Sequence, residues 1–199
     1  MQQIIKSKVI YIMKKYSQIK DDEILLLYRR GKYNKVMKII MNKFGDTVYS
    51  FIIMMVKNEE DANDLSQDTF IKVFKNLNTF NGNSKLSTWI ISIAKNTTYS
   101  FLKNKNYIIS RDDNKLDEQQ LNKLENQNSQ LPQMNILNSI SFLSQKLKTP
   151  IVMYYYANCS YDEISKIMNV STNTIKAQIR RAKIELNNMS KKRGIYHEL

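Results

Sequence analysis

Residues 59–105 read EEDANDLSQDTFIKVFKNLNTFNGNSKLSTWIISIAKNTTYSFLKNK. This stretch decides the fold. Its two halves predict helices, joined by a polar loop with a single glycine, Gly82. On a wheel of about 3.6 residues per turn, Ala62, Leu65, Phe70, Val73, Phe74 and Leu77 share one broad arc of the first helix, a core face. The opposite face carries Asp61, Asp64, Gln67 and Asp68 early and Lys72 and Lys75 late, a charge order that suits the helix dipole. Ile71 lies among these charges. A solvated face explains the charges; a docking face with a small apolar centre and an acidic rim explains Ile71 as well.

The second helix divides in the same way. Leu86, Ile90, Ile93, Ala94, Thr97 and Phe101 form its core stripe, with Thr88, Trp89, Ser92, Lys95, Asn96, Tyr99 and Lys103 across from them. Rings that stack, amides that read base edges and lysines that meet phosphates are what unpaired bases require. Trp89 as a core plug is the competing reading.

Composition narrows the function classes. The chain has 199 residues, a formal net charge of +13 and a pI near 9.6, which points to a polyanion, nucleic acid before membrane surface. The apolar runs FIIMMV and IVMYYYA are too short to span a bilayer, and the N-terminus lacks a signal-peptide core. Membrane insertion is therefore not expected. Cys159 and His197 are the sole cysteine and histidine, so no internal disulfide, ordinary zinc site or credible Ser-His-Asp triad is available. No metal or other cofactor is expected, and a cytoplasmic location fits. With 4 Gly and 2 Pro, an all-α architecture follows.

Further helices are expected over 22–33, with Ile24, Leu25, Leu27 and Tyr28 apolar, and over 34–56, with Gly45 as a point for a bend. The latter contributes Val36, Ile39, Ile40, Phe44, Val48, Phe51, Ile52 and Met55 to a core. Residues 106–130, rich in Asn, Gln and acids, bury too little to offset their ordering and predict a linker. Pro132 opens a helical segment to about Leu147, and Pro150 is expected in the first turn of the next helix.

Residues 160–188 hold the second constellation. Ser160 and Glu163 form a capping box, Asn169 suits a left-handed turn, and Ser171 caps a second helix. That helix buries Ile175, Ile179, Ala182 and Leu186 and shows Asn173, Lys176, Ala177, Arg180, Arg181 and Lys183. Helix, short turn and basic helix make a helix-turn-helix, whose second helix reads the major groove. An amphipathic hairpin with a solvated basic face is the plainer alternative.

DANDLSQDTFIKVF, the FNG loop and STWIISIAKN together resemble region two of the extracytoplasmic-function group of sigma-70 factors. SYDEISKIMNVSTNTIKAQIRRAKIEL resembles region four of the same group. The resemblance implies two small helical domains: a region-two bundle over 21–105 and a region-four helix-turn-helix over 132–190. They are joined by a linker at 106–131 and flanked by an extension at 1–20 and a basic tail at 191–199. Within the extension, Met13 begins MKKYSQIKDDE, which looks like a more usual family start. The implied partners are core RNA polymerase, promoter DNA and an anti-sigma factor. Carried onto this chain, the implied polymerase-docking residues are Asp61, Asp64, Gln67, Asp68 and Ile71. The melted minus-ten element would meet Asn81, Gly82, Asn83, Lys85, Trp89, Lys95, Asn96 and Tyr99. The minus-thirty-five element would meet Thr172, Asn173, Thr174, Lys176, Ala177, Gln178, Arg180, Arg181 and Lys183.

Gln178 stands where the family commonly has Arg, Ala177 where it often has Ser, and Ser144 replaces a common Pro. No catalytic role is expected. The rivals are a stand-alone helix-turn-helix regulator, which leaves the acidic face unexplained, and a Mg²⁺-dependent nuclease built on Glu60, Asp61, Asp64 and Asp68.

Overall fold

The computed structural model describes Tyr16 and residues 18–111 and 139–192, with side chains described to residue 104 in the first span and to 189 in the second. Every element among these residues is helical. They fall into two compact units: the first contains residues up to Ile53 and Asn58–Thr97, the second Met54–Lys57 and the residues from Thr98 on.

In the first unit, α1 (Asp21–Arg29) stops at Gly31, whose φ of +69° turns the chain back and lets its N–H reach Tyr28 O. α2 (Tyr33–Val56) then runs for 24 residues, through Gly45. It buries Val36, Ile39, Ile40, Phe44, Val48, Phe51 and Ile52, the heart of this unit's core. By length and mean hydropathy α2 could cross a membrane, which its separate apolar runs do not reveal. The burial of that face inside the protein accounts for its composition.

α3 (Glu59–Asn76) begins at Asn58, whose side-chain oxygen accepts from the Asp61 N–H at 2.8 Å. A 3-10 turn (Leu77–Thr79) closes it. The chain then passes through a loop with Gly82 at φ +78° into α4 (Leu86–Arg111). Ala62, Leu65, Phe70, Val73, Leu77, Leu86, Ile90 and Ala94 are buried as the wheel requires. Thr88, Ile91 and Thr98 are buried too, while Phe74, Ile93 and Phe101 remain partly exposed. Thr88 thus leaves the outer face assigned to it. α4 also continues over 106–111, into the stretch read as linker; the rest of that stretch lies outside the described residues.

In the second unit, α5 (Gln145–Tyr155) begins earlier than expected. The N–H groups of Leu147 and Lys148 both reach Ser144 O at 2.9 Å, so the helix starts at Ser144 and Pro150 sits in its interior. The missing N–H costs about 3 kcal/mol in an exposed helix. Here Thr149, Pro150, Ile151, Val152 and Met153 are all buried, and this burial offsets the loss. Pro132 lies outside the described residues. α6 (Tyr161–Met168) and α7 (Thr172–Lys192) follow, with α7 packed on both α5 and α6.

Candidate nucleic-acid interface

The helix-turn-helix is assembled by local chemistry. Ser160 Oγ accepts from the Glu163 N–H at 3.3 Å, and the Ser160 N–H donates to Glu163 Oε2 at 2.8 Å, completing the capping box. Asn169 takes φ 54° and ψ 48°, the left-handed conformation that ends α6. The Val170 N–H returns to Ser165 O, and Ser165 Oγ donates to Val170 O at 2.8 Å, which tightens the turn. Ser171 Oγ then caps α7 by accepting from the Thr174 N–H at 3.1 Å.

Two groove candidates belong to this framework. Thr172 Oγ1 donates to Asp162 at 3.0 Å, bridging α6 and α7, and the Thr174 hydroxyl lies 2.8 Å from that of Ser171. Asn173, Lys176, Ala177, Arg180 and Arg181 are exposed along the outer side of α7. Lys183 is exposed as well, its ammonium 5.4 Å from the Tyr155 ring centre. A hydrogen bond with Tyr155 raises its pKa, so it stays charged.

Gln178 is placed differently from expectation. Its side chain is 6% exposed, and Oε1 has no hydrogen-bond donor among the described residues. The reason is register: it follows Ile175 by three residues and precedes Ala182 by four, so it shares their buried face.

In the first unit, Asp64, Gln67 and Asp68 are exposed on α3, Asp61 is partly buried, and Ile71 keeps 49% of its surface open. The acids and the apolar centre therefore share one accessible face. Lys72 leaves it, donating to Thr97 Oγ1 at 3.1 Å. Among the described residues no group of three or more His, Cys, Asp or Glu is placed to hold a metal ion.

The α3–α4 loop exposes Asn81, Gly82, Asn83 and Lys85. Asn81 Oδ1 accepts from the Asn83 N–H at 3.1 Å, a local turn that fixes the loop tip. Trp89 is neither fully buried nor free: its ring rests on Phe80, centroids 5.5 Å apart at 47°. Asn96 is exposed and Lys95 partly buried, which lowers the lysine's pKa through desolvation. Tyr99 lies one turn further along the same helix; its hydroxyl is 2.6 Å from Thr149 Oγ1, and burial raises its pKa.

A residue that periodicity does not single out also supports this surface. Asp21 Oδ2 accepts from the Leu86 N–H at 2.8 Å, capping α4 from α1.

Two family matches fit these surfaces: Sigma-70 region 2 over residues 40–107 and Sigma-70 region 4 over residues 133–186. The ECF RNA polymerase sigma factor SigW of Bacillus subtilis is 29% identical over 155 residues, 72% of this chain and 83% of the relative. The RNA polymerase sigma-H factor of Pseudomonas aeruginosa is 23% identical over 178 residues, 84% of this chain and 92% of the relative. Among solved structures, the sigma factor RpoE in complex with the anti-sigma factor NepR from Bartonella quintana aligns with a TM-score of 0.61 at 21% identity, covering 72% of this chain and 89% of that one. CnrH in complex with the cytosolic domain of CnrY aligns at 0.59 and 14% identity, covering 92% and 96%. These two likenesses concern the fold.

Proposed function

The chain belongs to the sigma-70 family, in its extracytoplasmic-function group, and from that premise we propose how its surfaces divide the work of starting transcription. It directs core RNA polymerase to promoters and promotes the parting of the strands. Sigma factors are not enzymes, and the bond-making here falls to polymerase, which also fixes the site of action as the cytoplasm.

The α3 face of Asp61, Asp64, Gln67, Asp68 and Ile71 docks on polymerase, with Ile71 supplying the apolar centre and the acids the specificity. The loop and the start of α4 hold the parted minus-ten strand: Asn81, Asn83, Lys85 and Asn96 offer polar contacts, Gly82 gives close backbone approach, and Trp89 offers a ring. Lys95 is a phosphate contact. Tyr99 joins this set only if its hydroxyl leaves Thr149. On α7, Asn173, Lys176, Ala177, Arg180 and Arg181 read the minus-thirty-five duplex, Lys183 meets backbone phosphate, and Thr172 and Thr174 fix the angle of entry. An anti-sigma factor is a further proposed partner, since the solved structure of RpoE holds one, NepR.

One observation carries the proposal. An acidic face centred on the exposed Ile71 and a capped helix-turn-helix with an exposed cationic side occur in order in one chain. A stand-alone regulator would use the second and leave the first idle. The test is run-off transcription with core polymerase on candidate promoters. Specific transcripts that require the chain are expected; tight binding to duplex without polymerase, and no transcripts with it, would favour the regulator.

A further inference from the structure

The α1–α2 turn carries charge that neither the fold nor the surfaces above use. Residues 24–45 hold Arg29, Arg30, Lys32, Lys35, Lys38 and Lys43 and no acid. Lys43 is engaged, donating to Ile19 O and pairing with Asp21 at 3.5 Å. The other five are exposed, and their side chains make no hydrogen bond or ion pair among the described residues.

Helix stability accounts for one of them. Arg29 lies in the last turn of α1, where a cation is favoured. Lys32 and Lys35 flank the start of α2, the electropositive end of that helix, and its first turn holds no acid to balance them. Cations gathered against the local field are poorly explained as a stabilising surface.

A ring stands in the middle of this charge. Tyr33 is 49% exposed. Its inner side is braced by Tyr28, centroids 5.2 Å apart at 62°, and by Phe74, 5.9 Å apart at 89°, while Tyr28 and Phe74 meet at 6.1 Å. Lys75 follows Phe74 and is exposed too. A braced, half-open ring among exposed cations is the arrangement that binds single-stranded nucleic acid, with stacking on the ring and phosphates on the cations. The turn precedes the region matched at residues 40–107.

We propose that the α1–α2 turn is a further DNA contact: Arg29, Arg30, Lys32 and Lys35 meet the sugar–phosphate backbone, and Tyr33 stacks on a base of the unpaired strand. The inference rests on the sigma-factor reading for the source of that strand. An acidic face of polymerase is the competing partner, and the experiment separates the two.

A photocrosslinking phenylalanine analogue replaces Tyr33 in the full chain, which is assembled with core polymerase on a promoter that the unsubstituted chain transcribes. Crosslinking to DNA in the open complex is expected. In parallel, Arg30→Gln with Lys32→Gln, which leaves the ring cluster intact, should flatten the slope of log affinity against log salt by about 0.7–0.9 for each phosphate that the variant no longer neutralises. Tyr33→Ala should weaken the open complex roughly tenfold, and Tyr33→Phe should restore it. Crosslinking to a polymerase subunit, or to nothing, with an unchanged salt slope overturns the proposal. Transcription by the unsubstituted chain is read first and tests the sigma reading separately. Should it fail, crosslinking of the free chain to a single-stranded oligonucleotide still decides the role of the turn.

Discussion

The carboxylate of Asp21 caps a helix 65 positions away: its Oδ2 accepts from the Leu86 N–H at 2.8 Å while Oδ1 faces the Lys43 ammonium at 3.5 Å. α4 has no acid of its own in its first turn, so α1 supplies one. Asp21→Ala is expected to destabilise the protein by about 1–2 kcal/mol, the usual range for a missing cap with a charged partner. Thermal unfolding followed by circular dichroism checks this. Asp22→Ala, one residue on, should cost far less, and equal losses from the two would remove the cap from the account.

Gln178 should respond in the opposite direction. A buried amide oxygen without a donor costs about 1–3 kcal/mol, and Oε1 meets none among the described residues. Gln178→Met, similar in length and apolar, is expected to raise the melting temperature and to leave promoter affinity within a few-fold. Lys176→Ala, on the exposed side, should weaken promoter binding without altering stability. If Gln178→Met abolishes binding, the side chain reaches DNA after all.

The division between duplex and single-strand contacts can be tested on one template. Asn81→Ala, Asn96→Ala and Trp89→Phe should spare the closed complex and reduce the open one. A minus-ten bubble melted in advance should largely restore them. Phe is chosen at position 89 because Trp89 packs on Phe80, so truncation to Ala would also loosen the loop. The bubble should not restore Arg180→Ala. Permanganate footprinting reads the opening; equal rescue of all variants would end the division of labour.

Near Lys57 the stability should depend on pH. Burial, and then the nearby Lys148 charge, lower the Lys57 pKa from 10.5 to about 8. Burial lowers that of Lys148 as well, whose ammonium donates to Met55 O at 3.3 Å. Between about pH 8 and 10.5 the unfolded chain holds the Lys57 proton that the folded chain has released, so stability should rise with pH across that window. Below about pH 8 the full penalty of the charged form applies. Solvent reaches Lys57, so the slope should be shallow. Denaturant midpoints measured across the window should rise for the parent and less for Lys57→Gln.

What can be read from the sequence is mostly local. Ser160, Glu163, Asn169 and Ser171 act within a few residues of themselves, so their spacing alone specifies caps and turn. The core arcs of α3 and α4 follow the helical period for the same reason. Asp21 cannot be found this way, because its partner Leu86 is remote in the chain. Pro150 sits deeper in its helix than expected because local propensity disfavours an interior proline, whereas burial of its neighbours overrides that preference. Gln178 looks exterior by its polarity, although its register is that of the core, whereas Thr88 lies off the core stripe and is buried beside Ile91, one turn on, by packing that the helical period does not reveal. The exposure of Ile71 is legible, as the one apolar residue on a charged face; what it meets is legible only through family resemblance.

The Asn81–Gly82 pair at the loop tip gives the protein a chemical clock. With no side chain on Gly82, its backbone nitrogen can close on the Asn81 amide carbon, expel ammonia and leave a succinimide that opens to aspartate or isoaspartate. The loop is exposed, and Gly82 adopts φ +78°, a conformation the flexible residue tolerates through such a rearrangement. Ageing would thus put a negative charge, or an extra backbone carbon, where the chain is proposed to meet a phosphate-lined strand. Alkaline storage should produce an acidic species on ion exchange whose open-complex yield falls while its affinity for core polymerase holds. Asn81→Gln should resist this conversion, so the loop would set a shelf life for promoter opening separate from the stability of the fold.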